Sequence, residues 1–134
     1  MGIYLNPDNM DFQIAINSEL YVDKSELIKS INNLIYTEQR FVCVSRPRRF
    51  GKSMAANMLV AYYSRGCDSK EMFSKYKISS DPNFEKHLNN YNVIHINMLD
   101  FVGEKHPIME SLDYLSKRLI HEIKKENGDV DCFD

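Results

Sequence analysis

Gly51, Lys52 and Ser53 are the three consecutive residues best suited to chemistry in this chain. A glycine lets the backbone turn against an anion with no Cβ in the way. A lysine ammonium can reach terminal phosphates, and a serine hydroxyl can ligate a hard cation such as Mg²⁺. The triplet closes the basic string Arg46-Pro47-Arg48-Arg49-Phe50-Gly51-Lys52-Ser53, which follows the apolar run Phe41-Val42-Cys43-Val44. A strand, a tight loop and then a helix is the setting of a phosphate-binding loop. Consecutive N–H groups converge on one point there, and the helix N-terminus adds partial positive charge. The common form is Gly, four residues, then Gly-Lys-Ser or Gly-Lys-Thr. Arg46 holds the first glycine position, so the loop is a variant. Pro47 lacks an N–H, so the cradle must come mainly from the N–H groups of roughly residues 49–54. The expected nucleotide-binding set is Arg46, Pro47, Arg48, Arg49, Phe50, Gly51, Lys52, Ser53 and Met54. Lys52 is the expected catalytic residue on the β/γ-phosphates, and Ser53 the expected Mg²⁺ ligand.

Charge supports an anionic ligand. From Gln39 to Cys67 there are six basic residues (Arg40, Arg46, Arg48, Arg49, Lys52, Arg65) and no acidic ones. With a net charge of −2 overall, this +6 stretch leaves −8 for the rest. A local positive field in an acidic protein suits a small anion better than a long nucleic-acid track. Other constellations are weaker. His87, His95, His106 and His121 show no metal-ligand spacing, and no Ser/His/Asp or Cys/His set can be assembled. Tyr21, Tyr62 and Tyr63 could stack on a base, but aromatics at such spacings more often belong to a core. Cys43, Cys67 and Cys132 are far apart and odd in number, which fits a reducing cytoplasm rather than a disulfide framework.

The elements that must position the loop come next. A chain of 134 residues, 43% hydrophobic and 27% charged, suits one globular domain. No apolar run reaches the roughly 18 residues a membrane span needs, and no secretory signal opens the chain. Met1-Gly2 resembles a myristoylation start, but Asn6 stands where that signal needs Ser or Thr. Residues 1–20 form an N-terminal arm in which Phe12, Ile14 and Ile16 alternate with polar or small residues. That suggests a short strand or extended arm, with a helix left open over so few residues. Asp23 with Glu26 has capping-box spacing, and Leu27, Ile28, Ile31, Leu34 and Ile35 predict a helix ending near 36–38. Phe41–Val44 predicts a strand covered on both faces. Ser53 to about Ser64 predicts a buried helix, apolar nearly all round except at Asn57, with Gly66 as its stop. Asp68 predicts a second capped start, with Met72, Phe73 and Tyr76 as its apolar side. Pro82 predicts the first position of a short helix carrying Phe84 and Leu88. Tyr91–Met98 predicts a second buried strand. Residues 103–107 predict a loop, and Pro107 opens a long helix with Ile108, Met109, Leu112, Leu115, Leu119, Ile120 and Ile123 on one side. Gly128 ends it, and 129–134 form an acidic tail.

Two strings together resemble a known family. Tyr21-Val22-Asp23-Lys24-Ser25, followed by Ser45 and the string Arg46 to Ser53, closely resembles the N-terminal part of the AAA-ATPase-like proteins of anaerobic bacteria. Their Walker A motif has this Arg-Pro-Arg-Arg-Phe-Gly-Lys-Ser form, and the resemblance covers residues 3–101. It implies an ATP-binding P-loop domain of the αβα sandwich type, with Walker B carboxylates on a later strand. It also implies a frequent C-terminal nuclease-like domain and places Tyr21, Val22 and Asp23 near the adenine. No apolar run here ends in adjacent acidic residues, and Asp100 is a single carboxylate after the second strand.

The expectation is therefore α/β: a P-loop NTPase-type αβα sandwich with a parallel sheet, incomplete in this chain, with residues 1–134 as its N-terminal part. The expected function is binding of ATP and Mg²⁺ within an ATPase whose Walker B residues lie outside the chain, so that this piece alone is inactive. The alternative is a non-catalytic module that binds nucleic acid or a protein partner through the basic loop. The expected setting is the cytoplasm, with no membrane partner.

Overall fold

Helices carry the described part of the chain. The computed structural model describes residues 2–45, 51–100 and 107–128. Within them the helices are α1 (Met10–Ile16), α2 (Glu26–Asn32), α3 (Lys52–Tyr63), α4 (Lys70–Phe73), α5 (Phe84–His87) and α6 (Ile108–Asn127). Short 3-10 turns form at Lys77–Ser80 and Met98–Asp100. The expected loop residues 103–106 and the tail 129–134 lie outside the described residues, as do Arg46, Pro47, Arg48, Arg49 and Phe50.

The core gathers on α3. Met58, Ala61 and Tyr62 of α3 meet Phe12 of α1, Ile28 of α2, Phe73 of α4, Phe84 of α5 and Ile78 of the first 3-10 turn. Phe12 stacks on Phe73 with ring centroids 5.2 Å apart, and Tyr62 meets Phe73 edge-on at 5.6 Å. Burying each such side chain contributes about 1.5–3 kcal/mol. Tyr62 keeps its polar end satisfied: its hydroxyl donates to the Phe84 carbonyl at 2.6 Å and accepts from Asn32 Nδ2 at 3.3 Å. The Tyr63 hydroxyl donates to Asn32 Oδ1 at 2.5 Å, so α2 is tied to α3 by polar as well as apolar contacts. These contacts place Tyr62 and Tyr63 in packing roles. Gly66 stands three residues beyond the end of α3, where its bare Cα packs against the Asn6 backbone and a side chain would have no room.

The expected α/β architecture is not what the chain adopts. No strand and no parallel sheet occur among the described residues, so the αβα sandwich is corrected to a mostly helical arrangement. Phe41–Val44 is irregular and exposed: Phe41 is 83% exposed, and Val42 and Val44 are 48% each. An apolar run asks for cover, but a strand forms only where another segment completes its ladder. No described residue pairs its backbone with residues 41–45. Tyr91–Met98 makes only single bridges, with Leu5 opposite Ile94 (antiparallel) and Ser64 beside Tyr91 (parallel), and its end turns into the 3-10 segment. The alternation Phe12-Ile14-Ile16 is helical, not extended. Only Phe12 is buried, while Ile14 is 62% exposed.

Helix ends deviate in instructive ways. Ser25, not Asp23, is the N-cap of α2, and no side chain caps it. The Asp23 carboxylate instead accepts from the N–H groups of Ser25 (2.8 Å) and Lys77 (2.9 Å). α2 stops at Asn32, before turns that lead to Tyr36 with φ +63°. Pro82 lies before α5, whose N-cap is Asn83. Pro107 and Gly128 bound α6 as expected. α6 is long, but none of the described helices is long and apolar enough to cross a membrane.

α6 docks through a carboxylate, with Leu115, Leu119, Ile120 and Ile123 of its expected apolar side half-buried. Ile108, Met109 and Leu112 are exposed, and the buried residue of the helix is Glu122. Its Oε1 accepts from the Ile3 N–H at 2.9 Å, and its Oε2 from the Tyr4 and Leu5 N–H groups at 3.0 Å each. Arg118 Nε stands 3.4 Å from the same carboxylate. Burial alone would raise the carboxyl pKa, but three backbone donors and Arg118 hold it below the usual carboxylate range. Residues 3–6 are fastened on their other side as well. His95 N–H donates to the Tyr4 carbonyl at 2.9 Å, and the Asn6 N–H to the Val93 carbonyl at 2.7 Å.

Candidate phosphate-binding site

Gly51 is the N-cap of α3, with φ +79° and ψ 25°, the left-handed conformation that favours glycine. Its carbonyl accepts from the Ala55 N–H at 2.9 Å, which starts the helix. The first N–H groups of any α-helix lack intrahelical partners and carry partial positive charge. No acidic residue occupies the first turn to cancel that charge. Lys52 and Ser53 follow directly, both exposed.

Lys52 and Ser53 open onto a cleft of about 500 Å³. This lies within the range of about 300–1,000 Å³ usual for small-molecule pockets. α3 contributes Lys52, Ser53, Ala56 and Asn57, which one turn brings to a common face. α1 contributes Asp11. Ile3 and Tyr4 form another wall, held by Glu122, and His95, Ile96, Asn97 and Met98 close the remaining side. Among the described residues the cleft thus combines one cation, one carboxylate, hydroxyl, amide and imidazole groups, and an apolar strip. A phosphate could sit at the helix end while an apolar ring system covers Ile3, Tyr4, Ile96 and Met98.

The expected residues divide into three groups. Gly51, Lys52 and Ser53 stand together at the helix start, and Lys52 and Ser53 face the cleft. Met54 is 39% exposed and is not among the cleft-lining residues. Arg46, Pro47, Arg48, Arg49 and Phe50 lie outside the described residues. The flanking basic residues are used locally: Arg40 donates to the Thr37 carbonyl and covers the Phe41 ring, and Arg65 donates to the Asn90 carbonyl.

Tyr21, Val22 and Asp23 are likewise not brought to the cleft. Tyr21 meets Phe12 and Tyr76 edge-on, at 6.0 and 5.4 Å. Burial, with Tyr76 and Asp23 nearby, pushes its hydroxyl up to about 12. Val22 is 67% exposed. Burial opposes the Asp23 charge, but the hydrogen bonds from Lys77 and Ser25 keep its carboxyl below the usual range.

Sequence reasoning missed Asp11, Asn57, His95, Asn97 and Lys24. Asn57 had a signal, since it is four residues after Ser53 and is the main polar residue of an apolar helix. Asp11, His95 and Asn97 reach the cleft by tertiary contacts that spacing does not encode. The Lys24 Nζ stands beside Gly51, at 2.8 Å from the position a Cβ would take there. Lys24 belongs to the string Tyr21–Ser25, yet nothing in that string says where its ammonium goes.

No curated protein and no solved structure matches the chain. A family model described as predicted AAA-ATPase does match it, over residues 10–132, and the chain belongs to this AAA-ATPase-like family.

Proposed function

We propose that this chain binds ATP with Mg²⁺ through a variant Walker A loop, Arg46 to Ser53, as the nucleotide-binding part of an ATPase. The observation that carries this reading is the left-handed Gly51 at the head of α3, followed at once by Lys52 and Ser53 on the cleft. Family membership agrees with it. The residues fit the ligand. The helix start and Lys52 suit the β/γ-phosphates, and the Ser53 hydroxyl is a hard oxygen ligand suited to Mg²⁺. Mg²⁺ held there would neutralise phosphate charge. Asp11 is the carboxylate among the described cleft-lining residues and would be available to order water around a bound ion. Turnover of ATP calls for further carboxylates of the Walker B kind. We place the protein in the cytoplasm, in keeping with the free thiols of Cys43 and Cys67.

Titration of Mg²⁺·ATP against the wild type and Lys52→Ala tests the reading. A loss of affinity of roughly tenfold or more is expected from deleting a charged phosphate contact. Equal affinity would refute the Walker A assignment. Binding to DNA that falls steeply with salt, without ATP binding, would instead support a nucleic-acid module acting through the basic loop.

A further inference from the structure

We infer that Lys24 is a second phosphate-positioning lysine of this site, acting beside Lys52. The inference rests on the nucleotide reading above and extends it to a residue outside the Walker A string. A Cβ on Gly51 would lie 2.8 Å from the Lys24 Nζ, so the ammonium occupies the space that the missing side chain leaves. Gly51 is favoured by its positive φ, and its bare Cα leaves the Lys24 ammonium close to the point where α3 begins.

The backbone on both sides of Lys24 is fixed. Asp23 accepts from the N–H groups of Ser25 and Lys77, at 2.8 and 2.9 Å. Ser25 is 1% exposed, and its hydroxyl accepts from the Ile78 N–H at 3.1 Å. The Lys24 carbonyl accepts from the Leu27 N–H at 3.1 Å, as α2 begins. Lys24 thus extends from a turn pinned to the 3-10 segment 77–80, and its long side chain alone crosses to Gly51. This geometry gives the string Tyr21–Ser25 a physical role. Tyr21 packs on Phe12 and Tyr76, Asp23 and Ser25 pin the turn, and Lys24 brings its charge to Gly51 at the start of α3. Lys24 reaches the helix start at Gly51, while Lys52 lines the cleft, which Lys24 does not. On this inference two ammonium groups favour a polyphosphate over a monophosphate, because each can hold a different phosphoryl group.

The test compares Mg²⁺·ATP and AMP as probes of the wild type, Lys24→Ala, Lys24→Gln, Lys24→Arg and Lys52→Ala by isothermal titration, with thermal unfolding of each. Lys24→Ala and Lys24→Gln are expected to bind ATP roughly tenfold more weakly. AMP binding and unfolding temperature should stay close to wild type, and Lys24→Arg should recover most of the ATP affinity. If Lys24→Gln folds and binds ATP like wild type while Lys52→Ala does not, the inference falls and the nucleotide reading stands. If ATP and AMP weaken in parallel with a loss of stability, Lys24 is only structural and the inference falls. If the wild type binds no ATP, both fall.

Discussion

Replacing Glu122 by alanine removes the carboxylate that holds α6 to the N-terminal segment. The cost can be worked from the geometry. Three backbone N–H groups lose their acceptor. Ile3 is 63% exposed, so its N–H can turn to water, whereas Tyr4 and Leu5 are buried. Hydrogen bonds to a charged group contribute roughly 1.5–3 kcal/mol each, and a stranded buried donor keeps most of that penalty. Water entering the space left by the side chain returns part of it. The expected loss is therefore about 3 kcal/mol, which in a domain of this size lowers Tm by roughly 10 °C. Urea unfolding followed by circular dichroism measures it. A Glu122→Ala protein within about 0.5 kcal/mol of wild type would refute the claim that this carboxylate anchors α6. Glu122→Gln keeps one acceptor oxygen and should lose about half as much. The pH dependence gives an independent check. The folded Glu122 carboxyl lies below its usual value of 4.5, so its contribution is complete above that value. It is lost as pH falls through the lower folded value. The stability gap between wild type and Glu122→Gln should accordingly narrow on acidification.

Two further substitutions probe the start of α3 and the core. Gly51→Ala forces a Cβ into the left-handed region against the Lys24 ammonium and should cost about 1–2 kcal/mol. It should also weaken ATP binding, and unchanged stability in urea would refute the left-handed cap. Tyr62→Phe removes the hydroxyl that serves Phe84 and Asn32 while keeping the ring, and should cost about 1–2 kcal/mol by thermal unfolding. No loss would mean that the buried Phe84 carbonyl finds another donor.

Local signals carried well from sequence to structure. Gly51 opening a helix, Pro107 and Gly128 bounding another, and the core role of Tyr62 all depend on a few neighbouring residues. The strands failed for the opposite reason. Phe41–Val44 says that its residues are apolar, not which segment would lie beside it, and a ladder needs that second segment. α1 misled because its alternation holds one buried anchor, Phe12, and Ile14 faces outward. Glu122 went unnoticed in the sequence because its partners, Ile3 to Leu5, lie at the other end of the chain. The cleft divides along the same line. Lys52 and Ser53 were legible from spacing, while Asp11 and His95 arrive through packing.

The Glu122 contact also bears on the order in which the chain assembles. It joins residues 117–119 positions apart, whereas the aromatic core lies between Phe12 and Phe84. The entropy lost in closing a loop grows with the logarithm of its length, and long-range contacts slow folding. The core can form while both ends are still loose, and docking of α6 onto residues 3–5 then completes the native state. The reverse step is a sub-global opening that leaves the aromatic core intact. In hydrogen exchange the amides of Ile3, Tyr4 and Leu5 should therefore become labile together, ahead of those in α3.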